Sequence, residues 1–108
     1  MQEPLTEALE FCSAALNSGD LKEGDIGETL LYRGVVRYQL GDLPGALNDL
    51  NLSIDYHPEK ALAYFFKGLT FEARGEDKRA DSQYKNAYFY DPQDAEIAAK
   101  MAERALLN

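Results

Sequence analysis

The sequence predicts an all-α fold built from antiparallel helix pairs, and two observations support this prediction. One pattern occurs twice, so that residue 34 is matched by residue 68, a step of 34 residues. The residues that recur are Gly34 as Gly68, Gly41 as Gly75, Ala46 as Ala80, Tyr56 as Tyr90 and Pro58 as Pro92. Within each copy, apolar residues recur at three- and four-residue spacing, which is the period of an amphipathic helix. A fixed period of roughly 20 to 50 residues indicates a repeat architecture.

The repeat resembles the tetratricopeptide repeat (TPR), whose signature of W-x2-L-G-x2-Y, A-x3-F and P has the same period. The first full unit reads Leu30-x2-Arg33-Gly34-x2-Arg37, then Ala46-x3-Leu50, then Pro58. The second reads Tyr64-x2-Lys67-Gly68-x2-Phe71, then Ala80-x3-Tyr84, then Pro92. The match departs at Arg33 and Lys67, where the family mostly has Leu, and at Arg37, where it prefers an aromatic residue. We interpret these as basic side chains whose stems lie on apolar surface and whose charges stay in water.

The resemblance implies a TPR-like solenoid of about six helices, namely a half repeat, two full repeats and a C-terminal capping helix. We expect a single TPR domain over residues 1–108. It comprises an N-terminal helix at 4–17, full repeats at 27–60 and 61–94, and a capping helix at 95–107.

The N-terminal segment is predicted to be one helix followed by a loop. Pro4 suits a first helical turn, and Ala8, Cys12 and Ala15 share one face. This face parallels the second helix of a full repeat, which suggests a repeat whose first helix is missing. The glycines and acids of residues 17–27 predict a helix end and a loop, without the spacing of a calcium-binding loop.

Each full repeat predicts two helices, at 26–40 and 43–56 in the first and at 60–74 and 77–90 in the second. Asp42 is a suitable N-cap for the helix that begins at residue 43, and Gly41 and Gly75 are helix stops. Gly34 lies mid-helix, where we expect it to allow close approach of the paired helix. The last helix is predicted at 93–107, with large apolar side chains that make contacts and a separate face of small side chains. The larger contacts are Ile97, Met101 and Leu106, and the small face is Ala95, Ala98, Ala99, Ala102 and Ala105.

Composition argues against several classes of function. With 19 acids and 11 bases the formal charge is −8, which opposes binding to nucleic acid or to an anionic membrane surface. The single cysteine, Cys12, excludes an internal disulfide and a multi-cysteine metal site. No apolar run is long enough to span a membrane, and the N-terminus carries no signal-peptide pattern. We expect a soluble protein with no membrane insertion, cytoplasmic or, if a signal peptide was trimmed, bacterial periplasmic.

If the TPR resemblance holds, the first helices line a concave groove that binds a partner. Helical spacing places Glu28 on one face with Leu31, Val35 and Tyr38, and Leu62 on the matching face of the next repeat. The predicted groove residues are Leu31, Tyr32, Val35, Tyr38, Phe65, Phe66, Leu69 and Glu72. The alternative is that these side chains pack under the chain's own helices. Co-chaperones of the TPR family hold an acidic chaperone tail with Lys and Asn at positions that here carry Leu and Val or Phe and Leu, which argues against that ligand.

The sequence predicts no enzyme and no cofactor. Its one histidine, His57, precedes Pro58 in a predicted turn, and we expect it to be an exposed turn residue. No glycine-rich phosphate loop is present. Two functions remain: an adaptor that binds a peptide or amphipathic helix of another protein, or a self-associating scaffold that forms a homo-oligomer.

Overall fold

The computed structural model describes residues 2–107, and six α-helices and no strands lie within them. The helices are α1 (Glu3–Ser18), α2 (Glu23–Leu40), α3 (Leu43–Tyr56), α4 (Ala61–Ala73), α5 (Asp77–Tyr90) and α6 (Ala95–Glu103). The predicted all-α class is confirmed. The chain divides after Pro58 into two compact units, unit 1 with α1–α3 and unit 2 with α4–α6. The single-domain organisation stays a prediction.

The second helix of each full repeat begins and ends at the predicted residues. The side chain of Asp42 accepts a hydrogen bond from the backbone N–H of Gly45 at 3.0 Å, which caps α3 as expected. Gly41 and Gly75 precede these helices with φ angles of 86° and 78°, in the left-handed region that glycine adopts without strain. The turn within each full repeat therefore follows directly from its sequence.

Helix α2 begins at Glu23, so the predicted loop over 17–27 is too long. Gly24 and Gly27 lie inside the helix. Gly27 is buried, and a Cβ there would overlap the His57 ring. Its carbonyl oxygen accepts a hydrogen bond from the Ser53 hydroxyl at 2.9 Å. This glycine permits close approach of the end of α3. In the sequence, a glycine with this packing role looks the same as a glycine in a loop.

Gly34 has the role that its mid-helix position predicts. A Cβ at Gly34 would lie 2.9 Å from Leu50 Cγ on α3, inside van der Waals contact. In unit 2, a Cβ at Gly68 would overlap the ring of Tyr84. Each glycine therefore lets the two helices of its repeat approach closely enough to bury a large side chain.

The core of unit 2 is built from α4, α5 and α6. Its buried members are Phe65, Ala80, Tyr84, Ala87, Ile97 and Met101, with Leu106 packed against them. Helix α6 ends at Glu103, earlier than predicted. Its small face does not supply the packing, because Ala95, Ala99 and Ala102 are exposed. The larger side chains Ile97 and Met101 attach α6 to the core instead.

The end of α6 holds Ala105 in an unfavourable backbone conformation. Ala105 has a φ of 57°, and the N–H of Leu106 donates to the carbonyl of Met101 at 2.8 Å. This is a C-terminal cap that usually has glycine, since a left-handed residue with a Cβ is less stable by about 1 kcal/mol. We expect Ala105→Gly to raise the free energy of unfolding by about 0.5 to 1 kcal/mol in urea denaturation. The control Ala102→Gly, inside the helix, should lower the free energy of unfolding by about 1 kcal/mol. A lower free energy of unfolding for both variants would contradict the C-terminal cap at Ala105.

Candidate functional site

In unit 1, the candidate surface is one face of α2. Tyr32 is 57% exposed and dominates it. Val35 and Tyr38 are half-buried at positions three and six residues further along the same helix, and Glu28 is half-buried four residues before Tyr32. These four side chains form a stripe at helical spacing with an aromatic residue at its most accessible point. The surface can contact an apolar side chain and has a carboxylate at one end.

Leu31 does not belong to this surface, although its spacing predicted that it would. It is 1% exposed, and its neighbour Leu30 is buried as well. Helix α2 packs against both α1 and α3, so a wide arc of its circumference is covered. The spacing of apolar residues in the sequence does not show which of their side chains are covered by neighbouring helices and which face solvent. Leu31 is therefore a core residue.

In unit 2, the matching face of α4 is less exposed. Leu62 lies near its start and is exposed, whereas Phe66 and Leu69 are half-buried. The Phe66 ring meets the edge of the Phe65 ring, with centroids 5.7 Å apart. Phe66 and Leu69 both pack against the core of unit 2 and present only part of their surface.

Phe65 is a core residue, which corrects its expected place in the groove. It is 7% exposed, and its ring lies 5.8 Å from that of Tyr84, centroid to centroid. Phe65 is one of the buried residues that hold the three helices of unit 2 together. Its substitution would therefore report on folding rather than on partner binding.

Glu72 also serves the interior of unit 2 rather than an open acidic edge. Its Oε1 accepts a hydrogen bond from the Tyr84 hydroxyl at 2.6 Å and lies 3.4 Å from both Lys100 Nζ and Arg104 Nη1. The hydrogen bond from Tyr84, followed by the two nearby cations, lowers the pKa of Glu72 below its ordinary value. Arg104 also donates from Nε to Asp81 Oδ1 at 2.5 Å, so Glu72 belongs to a network that links α4, α5 and α6. The sequence did not reveal this network because its members come from three helices.

A solved structure of known fold superposes on almost the whole chain. The first TPR domain of Spaghetti (RPAP3), solved bound to the HSP90 peptide SRMEEVD, matches with a TM-score of 0.81 and 18% identity. The match covers 97% of this chain and 82% of that one. This chain has the TPR fold. No family model and no curated protein matches the sequence.

The two arginines that depart from the TPR signature form an ion-pair cluster around a buried carboxylate in unit 1. Arg33 donates from Nε to Asp49 Oδ2 and from Nη2 to Asp49 Oδ1, each at 2.8 Å, and Arg37 donates from Nη1 to Oδ2 at 2.9 Å. Asp49 is 0% exposed. The hydrogen bonds to Asp49 raise the pKa of the Arg33 guanidinium. The charges of these arginines thus meet a carboxylate rather than water, which corrects the interpretation drawn from the sequence.

Lys67, the departure in the second TPR unit, does not keep its charge fully in water either. It is half-buried, and burial lowers the pKa of its ammonium group. This direction means that the ammonium group, and not only its stem, is partly withdrawn from water.

His57 is half-buried and is not an exposed turn residue. Its Nε2 lies 3.1 Å from the carbonyl oxygen of Gly24, and the ring covers Gly27. A hydrogen bond to this carbonyl requires a proton on Nε2, and it links the end of α3 to the start of α2. The shallow depression beside it is lined by Glu23, Gly24, Asp55, Tyr56 and His57.

Cys12 is half-buried on α1, where the sequence predicted a core position. Burial raises the pKa of its thiol, and the nearby Arg33 guanidinium only partly offsets this effect. A thiol with a raised pKa is mostly protonated near neutral pH and is a poor nucleophile.

Across residues 2–107, no three His, Cys, Asp or Glu side chains come together as a metal site would require. None of the helices in that range has the length and hydropathy of a membrane span.

Proposed function

We propose that this chain is a non-enzymatic protein–protein interaction module that holds a peptide or an amphipathic helix of a partner protein. The observation that carries the proposal is the exposure of Tyr32, a large aromatic residue 57% open on a first helix of a TPR fold. Tyr is among the residue types that supply most of the binding energy in protein interfaces. The TPR domain that this fold resembles was solved with a bound peptide, which supports the same general use.

The binding surface lies in unit 1 and consists of Tyr32, Val35 and Tyr38 on α2. These side chains present apolar and aromatic atoms rather than cations. An apolar ligand side chain gains from burial against them by roughly 25 cal/mol per Å². The ligand is therefore an apolar segment and not an acidic tail, because Leu31 and Val35 stand where a carboxylate-binding TPR has Lys and Asn.

Tyr32→Ala is the test of this surface. The immobilised chain captures its partner from native lysate, and we expect Tyr32→Ala to reduce capture by about tenfold or more. Because Tyr32 is largely exposed, the variant should keep its helicity by circular dichroism and its unfolding free energy within about 0.5 kcal/mol. The matched control is Phe89→Ala, which removes a 78% exposed aromatic side chain from α5.

Two outcomes would contradict the proposal. Equal capture by Tyr32→Ala and the unaltered chain would show that this face of α2 is not the binding surface. Sedimentation over a concentration series addresses the other function. A stable homo-oligomer that Tyr32→Ala dissociates would assign the surface to self-association instead.

A further inference from the structure

One face of α1 corresponds in sequence to the face that packs against the first helix in each full repeat, and its small side chains are half-buried. Ala8, Cys12 and Ala15 correspond in the repeat to Ala46, Leu50 and Ser53 of α3 and to Ala80, Tyr84 and Ala87 of α5. The six residues of α3 and α5 are all fully buried. Helix α1 contains no buried residue at all.

The same comparison identifies Phe11 as the most exposed side chain on this face. Phe11 of α1 corresponds to Asp49 of α3, which is 0% exposed and is held by Arg33 and Arg37 of the first helix of its repeat. Phe11 itself is 76% exposed. In the first full repeat, this position faces the first helix, and Phe11 therefore lies where a helix packs in that repeat. The matching residue of the second repeat, Gln83, is half-buried.

The charge of unit 1 indicates which kind of partner can bind the face of α1 that carries Phe11. Residues 1–58 hold ten acidic and three basic residues, so seven of the eight net negative charges lie in unit 1. Two of the three bases, Arg33 and Arg37, are paired with Asp49. Phe11 is flanked by Glu7 and Glu10, both exposed. A second copy of this acidic chain would be repelled, whereas a cationic segment would be attracted.

We propose that the face formed by Ala8, Phe11, Cys12 and Ala15 binds a cationic amphipathic helix of a partner protein. The small side chains let a helix backbone approach closely, and Phe11 supplies the large apolar contact. Lys and Arg on the flanks of the bound helix meet Glu7 and Glu10. This site is separate from Tyr32 and binds independently of the surface proposed above.

The test uses a defined probe. A fluorescent peptide of about 18 residues carries Leu and Ala on one helical face and Lys on the other, and its matched partner has Glu in place of Lys. Anisotropy titrations against the full chain should show binding of the Lys peptide only. Phe11→Ala should weaken that binding by about tenfold or more, whereas Phe89→Ala should leave it within about twofold.

Phe11→Glu sharpens the result, because it adds negative charge while removing the apolar contact. Simple electrostatic attraction would make this variant bind the Lys peptide more tightly, whereas the proposal expects weaker binding. Both Phe11 variants should keep the circular dichroism spectrum, since the side chain is exposed. Equal binding of the two peptides, undiminished binding by Phe11→Ala, or self-association that Phe11→Ala abolishes would each overturn the proposal.

Discussion

Replacing Asp49 with Asn should lower the free energy of unfolding by about 2 to 3 kcal/mol. The carboxylate is fully buried and accepts from Arg33 and Arg37, whose side chains are only 16% and 23% exposed. An amide of the same size leaves two guanidinium groups facing a neutral partner, and neither can lose its proton. The partial exposure of the arginines limits the loss, because they can turn part of their charge toward water. Urea denaturation at neutral pH measures the effect.

The control for this prediction is Asp55→Asn on the same helix, at an exposed position, where we expect a change within about 0.5 kcal/mol. Replacing Arg33, Arg37 and Asp49 together with Leu should be less damaging than Asp49→Asn alone. The triple variant leaves no unpaired charge in the interior. Equal free energies of unfolding for Asp49→Asn and Asp55→Asn would contradict the claim that the ion pairs of Asp49 stabilise the fold.

Gly68→Ala should destabilise the protein by about 2 to 3 kcal/mol, although Ala favours a helix more than Gly by about 1 kcal/mol. The added Cβ would overlap Cε1 and Cδ1 of Tyr84. That ring is fully buried among Phe65, Ile97 and Met101, so it cannot move without disturbing the core. Thermal and urea unfolding both measure the loss.

Gly24→Ala is the matched substitution, because it is also within a helix but has no atom near the new Cβ. There the helix preference acts alone, and we expect stabilisation of about 0.5 to 1 kcal/mol. Opposite signs for the two variants are the expected result. Stabilisation by Gly68→Ala would mean that α4 and α5 are not as closely packed as described.

The fold could be predicted from the sequence because its signals are local. Gly41 and Gly75 end helices through their own backbone conformation, and Asp42 caps the helix that it precedes. Gly27 misled the prediction, because glycine marks a loop and a close helix contact equally well. The sequence alone gives no means of separating these two uses.

The candidate site was only partly predictable, since exposure depends on neighbouring helices. Leu31 and Tyr32 are adjacent in sequence, yet one is 1% and the other 57% exposed, because α2 is covered from two sides. The Asp49 cluster did leave a signal. Arg33 and Arg37 are one helical turn apart on the face toward α3, and an aspartate interrupts the apolar stripe of that helix.

The most direct test of the central claim is photo-crosslinking of a captured partner from defined positions on the surface. Benzoylphenylalanine replaces Tyr32 in one preparation and Phe89, on the outer part of α5, in another, since both side chains are aromatic and exposed. We expect a crosslinked partner from position 32 and none from position 89. Crosslinking from position 89 alone, or equally from both positions, would contradict the claim that α2 presents the partner-binding surface.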